Sequence, residues 1–101
     1  MELDFLANNG HLELNLKGRF TFADSKSFSG ILDDITAKTY KQVIVNFAGV
    51  DFIDSAALGI LLLTRERCNK TSTGLILRNP KGQVKQMFDI SRFTDLFKIE
   101  A

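Results

Sequence analysis

The sequence is poor in the side chains that most often carry chemistry. Cys68 is the only cysteine and His11 the only histidine. A metal site of the His/Cys type therefore cannot be assembled within one chain, and no intramolecular disulfide can form. No Walker A pattern occurs, which removes the usual phosphate-cradling loop. Charge of one sign is lacking too: 13 basic and 12 acidic residues leave a net charge of +1, with no basic block and no charged tail. Nucleic-acid binding thus has no electrostatic footprint. Long apolar runs are also missing. Ala56 to Leu63, with Gly59 included, is the longest, at eight residues, where a membrane span needs about 20. The start, Met1-Glu2-Leu3-Asp4, lacks the positive region of a signal peptide. These absences point to the cytoplasm, to no membrane insertion and away from an enzyme.

What is present suits a globular fold. Hydrophobic residues make up 45% and charged residues 25% of the 101, too apolar for a disordered chain. The length fits a single domain over residues 1–101. Such a chain buries roughly two thirds of its unfolded surface, enough for a core without staples. Nothing in the composition reports the oligomeric state.

Alternation over Leu3-Asp4-Phe5-Leu6 and Leu12-Glu13-Leu14-Asn15-Leu16, with Asn8-Asn9-Gly10 between, predicts a hairpin whose Leu12, Leu14 and Leu16 face a core. Phe28, Ile31, Leu32 and Ile35 then fall at helical spacing behind Asp24, a candidate N-cap. Val43-Ile44-Val45-Asn46-Phe47 has no alternation and reads as a central strand covered on both faces. Residues 49–54 read as a loop. From Ser55 to Cys68 the composition favours helix. Gly74 opens a strand, Leu75-Ile76-Leu77, and Asn79-Pro80 reads as an N-cap with proline at the first helical position. Val84, Met87 and Phe88 form that helix's buried stripe. Phe93, Leu96 and Phe97 make one more turn before a short strand at Lys98-Ile99. The expected class is α/β, a mostly parallel mixed sheet of about five strands with an N-terminal antiparallel hairpin and three to four helices.

The segment Asp51-Phe52-Ile53-Asp54-Ser55-Ala56-Ala57-Leu58-Gly59 is the informative one. It follows the carboxyl end of a strand, where α/β sheets place their sites. Ser55 at a helix start is most economically a cap, or Asp54 is the cap and Ser55 the first helical residue. The helix behind it is apolar on two sides. Leu58, Leu61 and Leu62 share one face, and Ala56, Ile60 and Leu63 lie nearly opposite. Either a neighbouring helix covers the second face or it is a partner-binding patch beside Ser55. Burial within the domain is favoured, at least for Leu63. Gly59 in this helix suggests close approach by another backbone, internal or from a partner. Cys68 reads as a small core residue, His11 as a surface turn residue, and Lys81, Lys85 and Arg92 as solvated.

At these residues the chain resembles the STAS family, and within it the single-domain anti-sigma factor antagonists. The resemblance runs from the hairpin through Phe52-Ile53-Asp54-Ser55-Ala56-Ala57-Leu58-Gly59, Gly74-Leu75-Ile76-Leu77 and Asn79-Pro80-Lys81-Gly82-Gln83-Val84 to Leu96-Phe97-Lys98-Ile99. It implies that Ser55 is phosphorylated by an anti-sigma factor/serine kinase, that the unphosphorylated form binds that partner and frees its target, and that a PP2C-type serine phosphatase reverses the modification. It implies a partner surface of Asp51, Asp54, Ser55, Ala56, Gly59 and Ile60, and no cofactor. Two positions depart from the family pattern: Asn46 replaces the usual Asp and Ala56 a common Ser. The alternatives are a non-switching STAS docking module, such as an accessory subunit of a lipid transporter or a component of a sensory assembly, and a nucleophilic enzyme. The last lacks the glycines of G-x-S-x-G at Ile53 and Ala57 and has only His11 as a base.

Overall fold

Strand β1 (Glu2–Asn8) folds back on β2 (His11–Phe20) through Asn9-Gly10, whose φ angles of 52° and 81° are both positive. Asn-Gly supplies that pair of conformations at little cost, so the turn matches the twist of the strands. A computed structural model describes residues 1–101. A 3-10 turn (Phe22–Asp24) leads into α1 (Ser25–Lys38), followed by β3 (Gln42–Ile53), α2 (Ser55–Lys70), β4 (Gly74–Arg78), α3 (Gly82–Ile90), α4 (Phe93–Leu96) and β5 (Lys98–Glu100). The five strands lie in the order β1-β2-β3-β4-β5, antiparallel at β1/β2 and parallel elsewhere. The expected class and element order hold.

Strand order explains where the core sits. Crossovers between parallel strands are right-handed, and here each one steps to the next strand in the same direction. All crossover helices therefore fall on one face. Leu12, Leu14, Leu16, Val43, Val45, Phe47 and Leu77 point to that face and join one core with Phe28, Leu32 and Ile35 of α1. The expectation that Val43–Phe47 is covered on both faces holds for burial, since Val43, Ile44, Val45 and Phe47 are all buried, but only one face carries a helix layer. Ile44 and Ile76 pair on the opposite face, where Arg78 forms ion pairs with Glu100 at 3.0 Å and Glu13 at 3.8 Å.

Three expectations are corrected. Residues 49–53 are strand, not loop, because β2 continues to Phe20 and keeps pairing with them. Shifts in register between Asn15 and Lys17 and between Gly18 and Arg19 absorb the mismatch. Asp24 precedes α1 but does not cap it. Its carboxylate accepts from the Thr21 amide at 2.9 Å, while the Thr21 hydroxyl accepts from Ala23, a capping box for the 3-10 turn. Asn79 does not cap α3 either. It takes a left-handed conformation, φ 59°, and its side-chain amide donates to Asn46 Oδ1 at 3.2 Å. The helix starts at Gly82 without a side-chain cap.

An aromatic chain closes the far side of the core. Phe47 meets Phe88 edge-on at 5.2 Å, Phe88 stacks on Phe93 at 5.4 Å, and Phe93 reaches Phe97 at 4.7 Å. Cys68 is buried, and burial pushes its thiol up to about 11. It stays protonated at neutral pH, as a core residue should. No helix is long and apolar enough to cross a membrane.

Candidate functional site

The site forms where β3 hands over to α2. Val50 and Phe52 pair with Gly18 and Arg19 of β2, which leaves Asp51 as an extra, exposed residue in the ladder. Such bulges re-aim the chain beside functional sites. Arg19 lies over the Phe52 ring, 4.2 Å from its centroid, a cation–π contact that steadies the strand end. Asn46 acts one turn of the ladder earlier. Its Oδ1 accepts from the Ala48 amide at 3.0 Å and from Asn79 at 3.2 Å. An aspartate would accept the same two bonds, so asparagine keeps the local structure without the charge.

Asp54, not Ser55, caps α2. One carboxylate oxygen accepts from the Ala57 amide at 2.9 Å and the other from the Phe22 amide at 3.1 Å. A single side chain thus satisfies an orphan helix donor and ties the 3-10 turn to the helix start. Ser55 is left as the first helical residue, exposed, with its hydroxyl in no hydrogen bond. Its own amide and that of Ala56 remain open at the positive end of the helix.

From Ser55 one stripe of α2 faces outward. Ser55, Gly59, Leu62, Leu63 and Glu66 are exposed, spaced along one helix face. Leu62 and Leu63 are 42% and 52% exposed. The inward side carries Ala57, Ile60, Leu61, Thr64 and Cys68. The two flanks are held separately. Arg67 reaches Asp33 of α1 at 3.4 Å, and Arg65 donates to the Leu96 carbonyl at 2.8 Å.

Of the sequence-predicted surface, Asp51, Asp54, Ser55, Ala56 and Gly59 come together at this corner, with Ala56 and Asp54 half-buried. Ile60 does not belong to it. It is only 7% exposed and part of the core, so no partner reaches it. The expected burial of Leu63 is likewise overturned. Both errors have one cause. The buried arc centres on Ala57, Thr64 and Cys68, small residues that let α2 lie close, and hydrophobicity alone gives them little weight. Close internal approach does not explain Gly59, since a Cβ there would meet nothing within 4 Å. Gly59→Ala is therefore expected to stabilise the fold by roughly 1 kcal/mol through helix propensity, seen as a rise in melting temperature of about 4–8 °C. A lower melting temperature would show a packing role that the open space denies.

Two residues carry roles that the sequence did not signal. Phe22 is 73% exposed and held beside the α2 start by the Asp54 bond. Its neighbour Phe20 is fully buried and stacks on Phe28 at 5.1 Å, and nothing in Phe20-Thr21-Phe22 tells which ring turns outward. Gln83 clamps Ile53 from α3, its oxygen accepting from the Ile53 amide at 2.9 Å and its nitrogen donating to the Ile53 carbonyl at 2.8 Å. The pair replaces a missing strand at the residue before Asp54. Only contact across 30 residues reveals it. Gln83→Ala should cost about 1–3 kcal/mol by leaving both backbone groups unpaired. It should also speed hydrogen exchange at the Ile53 amide, and unchanged exchange would deny the clamp.

Comparisons with known proteins identify the family and the fold. The family model of the STAS domain matches residues 2–101. A STAS-domain-containing protein of Pseudomonas aeruginosa is 31% identical over 93 residues, 92% of this chain and 91% of that protein. Among solved structures, the protein TM1081 of Thermotoga maritima superposes with a TM-score of 0.90 at 16% identity, over 98% of this chain and 86% of that one. The Bacillus cell fate determinant SpoIIAA in its phosphorylated form superposes with a TM-score of 0.78 at 17% identity, over 99% and 91%.

Proposed function

The chain belongs to the STAS domain family, and from that premise we propose that it is an anti-sigma factor antagonist in a bacterial partner-switching pathway. Residues 1–101 act as one STAS domain. The unphosphorylated corner at Ser55 binds an anti-sigma factor that is also a serine kinase, in the cytoplasm where ATP is at hand, and the bound partner releases its target. The kinase transfers the γ-phosphoryl group of ATP to Ser55 Oγ, leaving ADP and a phosphoserine that no longer docks. A PP2C-type phosphatase restores the hydroxyl by hydrolysis. The protein supplies a surface and an acceptor and is not itself a catalyst.

The observation that carries this reading is the division of labour between Asp54 and Ser55. Asp54 does the capping, so the Ser55 hydroxyl is free of structural duty and open to solvent. A serine serving as the cap would have to give up its helix bond to be modified. Here modification breaks no bond, and the two open amides beside it favour an anion. The docking surface is the outward stripe Ser55, Gly59, Leu62 and Leu63, joined by Asp51 and the exposed ring of Phe22. SpoIIAA, whose structure is known in a phosphorylated and an unphosphorylated form, supports a switch on this fold.

Co-purification from the native cell, with mass spectrometry of the bait, tests the proposal. A kinase-type anti-sigma factor should be recovered, and phosphate should map to Ser55. Ser55→Ala should keep the partner and lose the label. A Ser55→Ala protein labelled as well as wild type would sink the site, and recovery of a transporter ATPase instead would favour a non-switching docking module. Gly59→Ala adds a separate check, because it should weaken the partner while raising the melting temperature.

A further inference from the structure

Strand β1 forms one edge of the sheet. Its inner side pairs with β2 over all seven residues, without a shift in register, and its outer side pairs with nothing. Soluble proteins usually blunt such an edge with lysine, proline, a bulge or short length. Glu2-Leu3-Asp4-Phe5-Leu6-Ala7-Asn8 has no lysine, proline or bulge, and its only charges are Glu2 and Asp4. Phe5 and Leu6 are 68% and 63% exposed. Beside the strand lies a groove of about 330 Å³ between the hairpin and α1, lined by apolar Phe5, Leu12, Leu14 and Ile31 and by charged Asp34 and Lys38. The edge leaves its outer backbone groups unpaired and exposes two large apolar side chains, features of a surface that is used.

We propose that this edge joins two copies of the chain, β1 to β1, antiparallel about a two-fold axis at Phe5. A closed symmetric dimer that continues the sheet needs antiparallel strands. Directly opposed residues share a face, so the axis must pass through a residue. An axis at Asp4 sets Asp4 against its own copy, and like charges directly opposed are destabilising. An axis at Leu6 leaves Glu2 and Leu3 facing the turn. The axis at Phe5 alone pairs the whole strand: Glu2 with Asn8, Leu3 with Ala7, Asp4 with Leu6, Phe5 with Phe5. No two carboxylates oppose each other. Leu3, Phe5 and Ala7 of both copies make one apolar ladder on the side of the α1 grooves. The strand is thus self-complementary in charge and in face in one register. Two short strands bury less than a standard interface of about 1,600 Å², so the dimer belongs in the micromolar range. The ladder uses none of the residues at the Ser55 corner.

Sedimentation velocity over about 1 µM to 1 mM, the range in which a micromolar dimer forms, tests the proposal. The mass should double from 11.3 kDa as concentration rises. Phe5→Lys sets two ammonium groups across the axis and should raise the dissociation constant at least about tenfold. Its circular dichroism should match wild type, because the ring it removes is exposed. Phe5→Cys should form a disulfide-linked dimer on oxidation, since opposed Cβ atoms lie about 4.5–5.5 Å apart and need only a small shift to bond. Ala7→Cys faces Leu3 of the other copy and should cross-link far less. A monomer throughout, a dimer indifferent to Phe5→Lys, or equal cross-linking at positions 5 and 7 would each overturn the proposal.

Discussion

Phe88→Ala is expected to lower stability by about 3–5 kcal/mol. Phe88 is 1% exposed and touches aromatic rings on two sides, Phe47 edge-on and Phe93 stacked. The substitution opens a cavity that three elements border, β3 through Phe47, α3 itself and α4 through Phe93. None of them can collapse inward without moving the others. A domain of this size has about 5–15 kcal/mol in all, so the loss takes a large share. With a urea slope of about 1–3 kcal/mol per molar, the midpoint should fall by more than about 1 M. The effect should reach the site as well. Helix α3 carries Gln83, so a loosened α3 slackens the clamp on Ile53 and speeds exchange at its amide. Phe22→Ala is the matched control. Its ring is 73% exposed, so equilibrium unfolding should change by less than about 0.5 kcal/mol. A loss under about 1 kcal/mol for Phe88→Ala would contradict the packing described.

Phosphorylation of Ser55 is expected to weaken partner binding about a hundredfold, equivalent to about 2.7 kcal/mol, while leaving the fold in place. A phosphoserine adds about −1.5 to −2 charges at pH 7. Within the domain that charge sits on the first helical residue, near open amides and the positive end of α2. The helix end contributes about 0.3–1 kcal/mol in its favour, set against repulsion from the neighbouring Asp54. The two nearly cancel, and the melting temperature should move by no more than about 4–8 °C. At the proposed docking surface nothing cancels. The outward stripe offers Gly59, Leu62 and Leu63 beside the phosphate, with Asp51 and Asp54 adding charge of the same sign. A partner that packs on those leucines must strip water from a dianion without supplying its match. Calorimetric titration of the partner with the phosphorylated and unphosphorylated protein, beside thermal melts of both, separates the terms. Equal affinities would defeat the switch. A large drop in melting temperature would place the response inside the fold instead of at the surface.

Much of this molecule is legible from residue order because its elements are made locally. Asn9-Gly10 has the conformational freedom for its turn. Leu12, Leu14 and Leu16 alternate as a half-buried strand does, and Phe28, Leu32 and Ile35 keep helical spacing against it. The hairpin, the first helix, the strand at Leu75–Leu77 and the closing turn at Phe93–Phe97 all follow from such patterns, and so does the position of Ser55 at a strand-to-helix junction. The errors cluster where local pattern is silent. Continuation of β3 through Ile53 depends on β2 being long enough to pair with it. The capping roles foreseen for Asp24 and Asn79 went to other duties because distant or non-helical partners, Thr21 and Asn46, offered them bonds. The inward turn of Ile60 and the outward turn of Leu63 depend on how closely α2 approaches the sheet.

The sequence by itself determined the class of fold, the family and the identity of the candidate acceptor, since periodicity, turn chemistry and an ordered set of short segments are properties of the chain alone. Only the tertiary structure decided which residues stand around that acceptor. Asp54 is the cap because the Phe22 amide comes from 32 residues away to share its carboxylate. Ser55 is free because Asp54 is engaged. Leu62 and Leu63 face outward because α1 and α4 hold the flanks of α2 and leave the stripe between them uncovered. A hydroxyl's freedom and a leucine's exposure are set by what the rest of the chain brings near, and no local pattern encodes that.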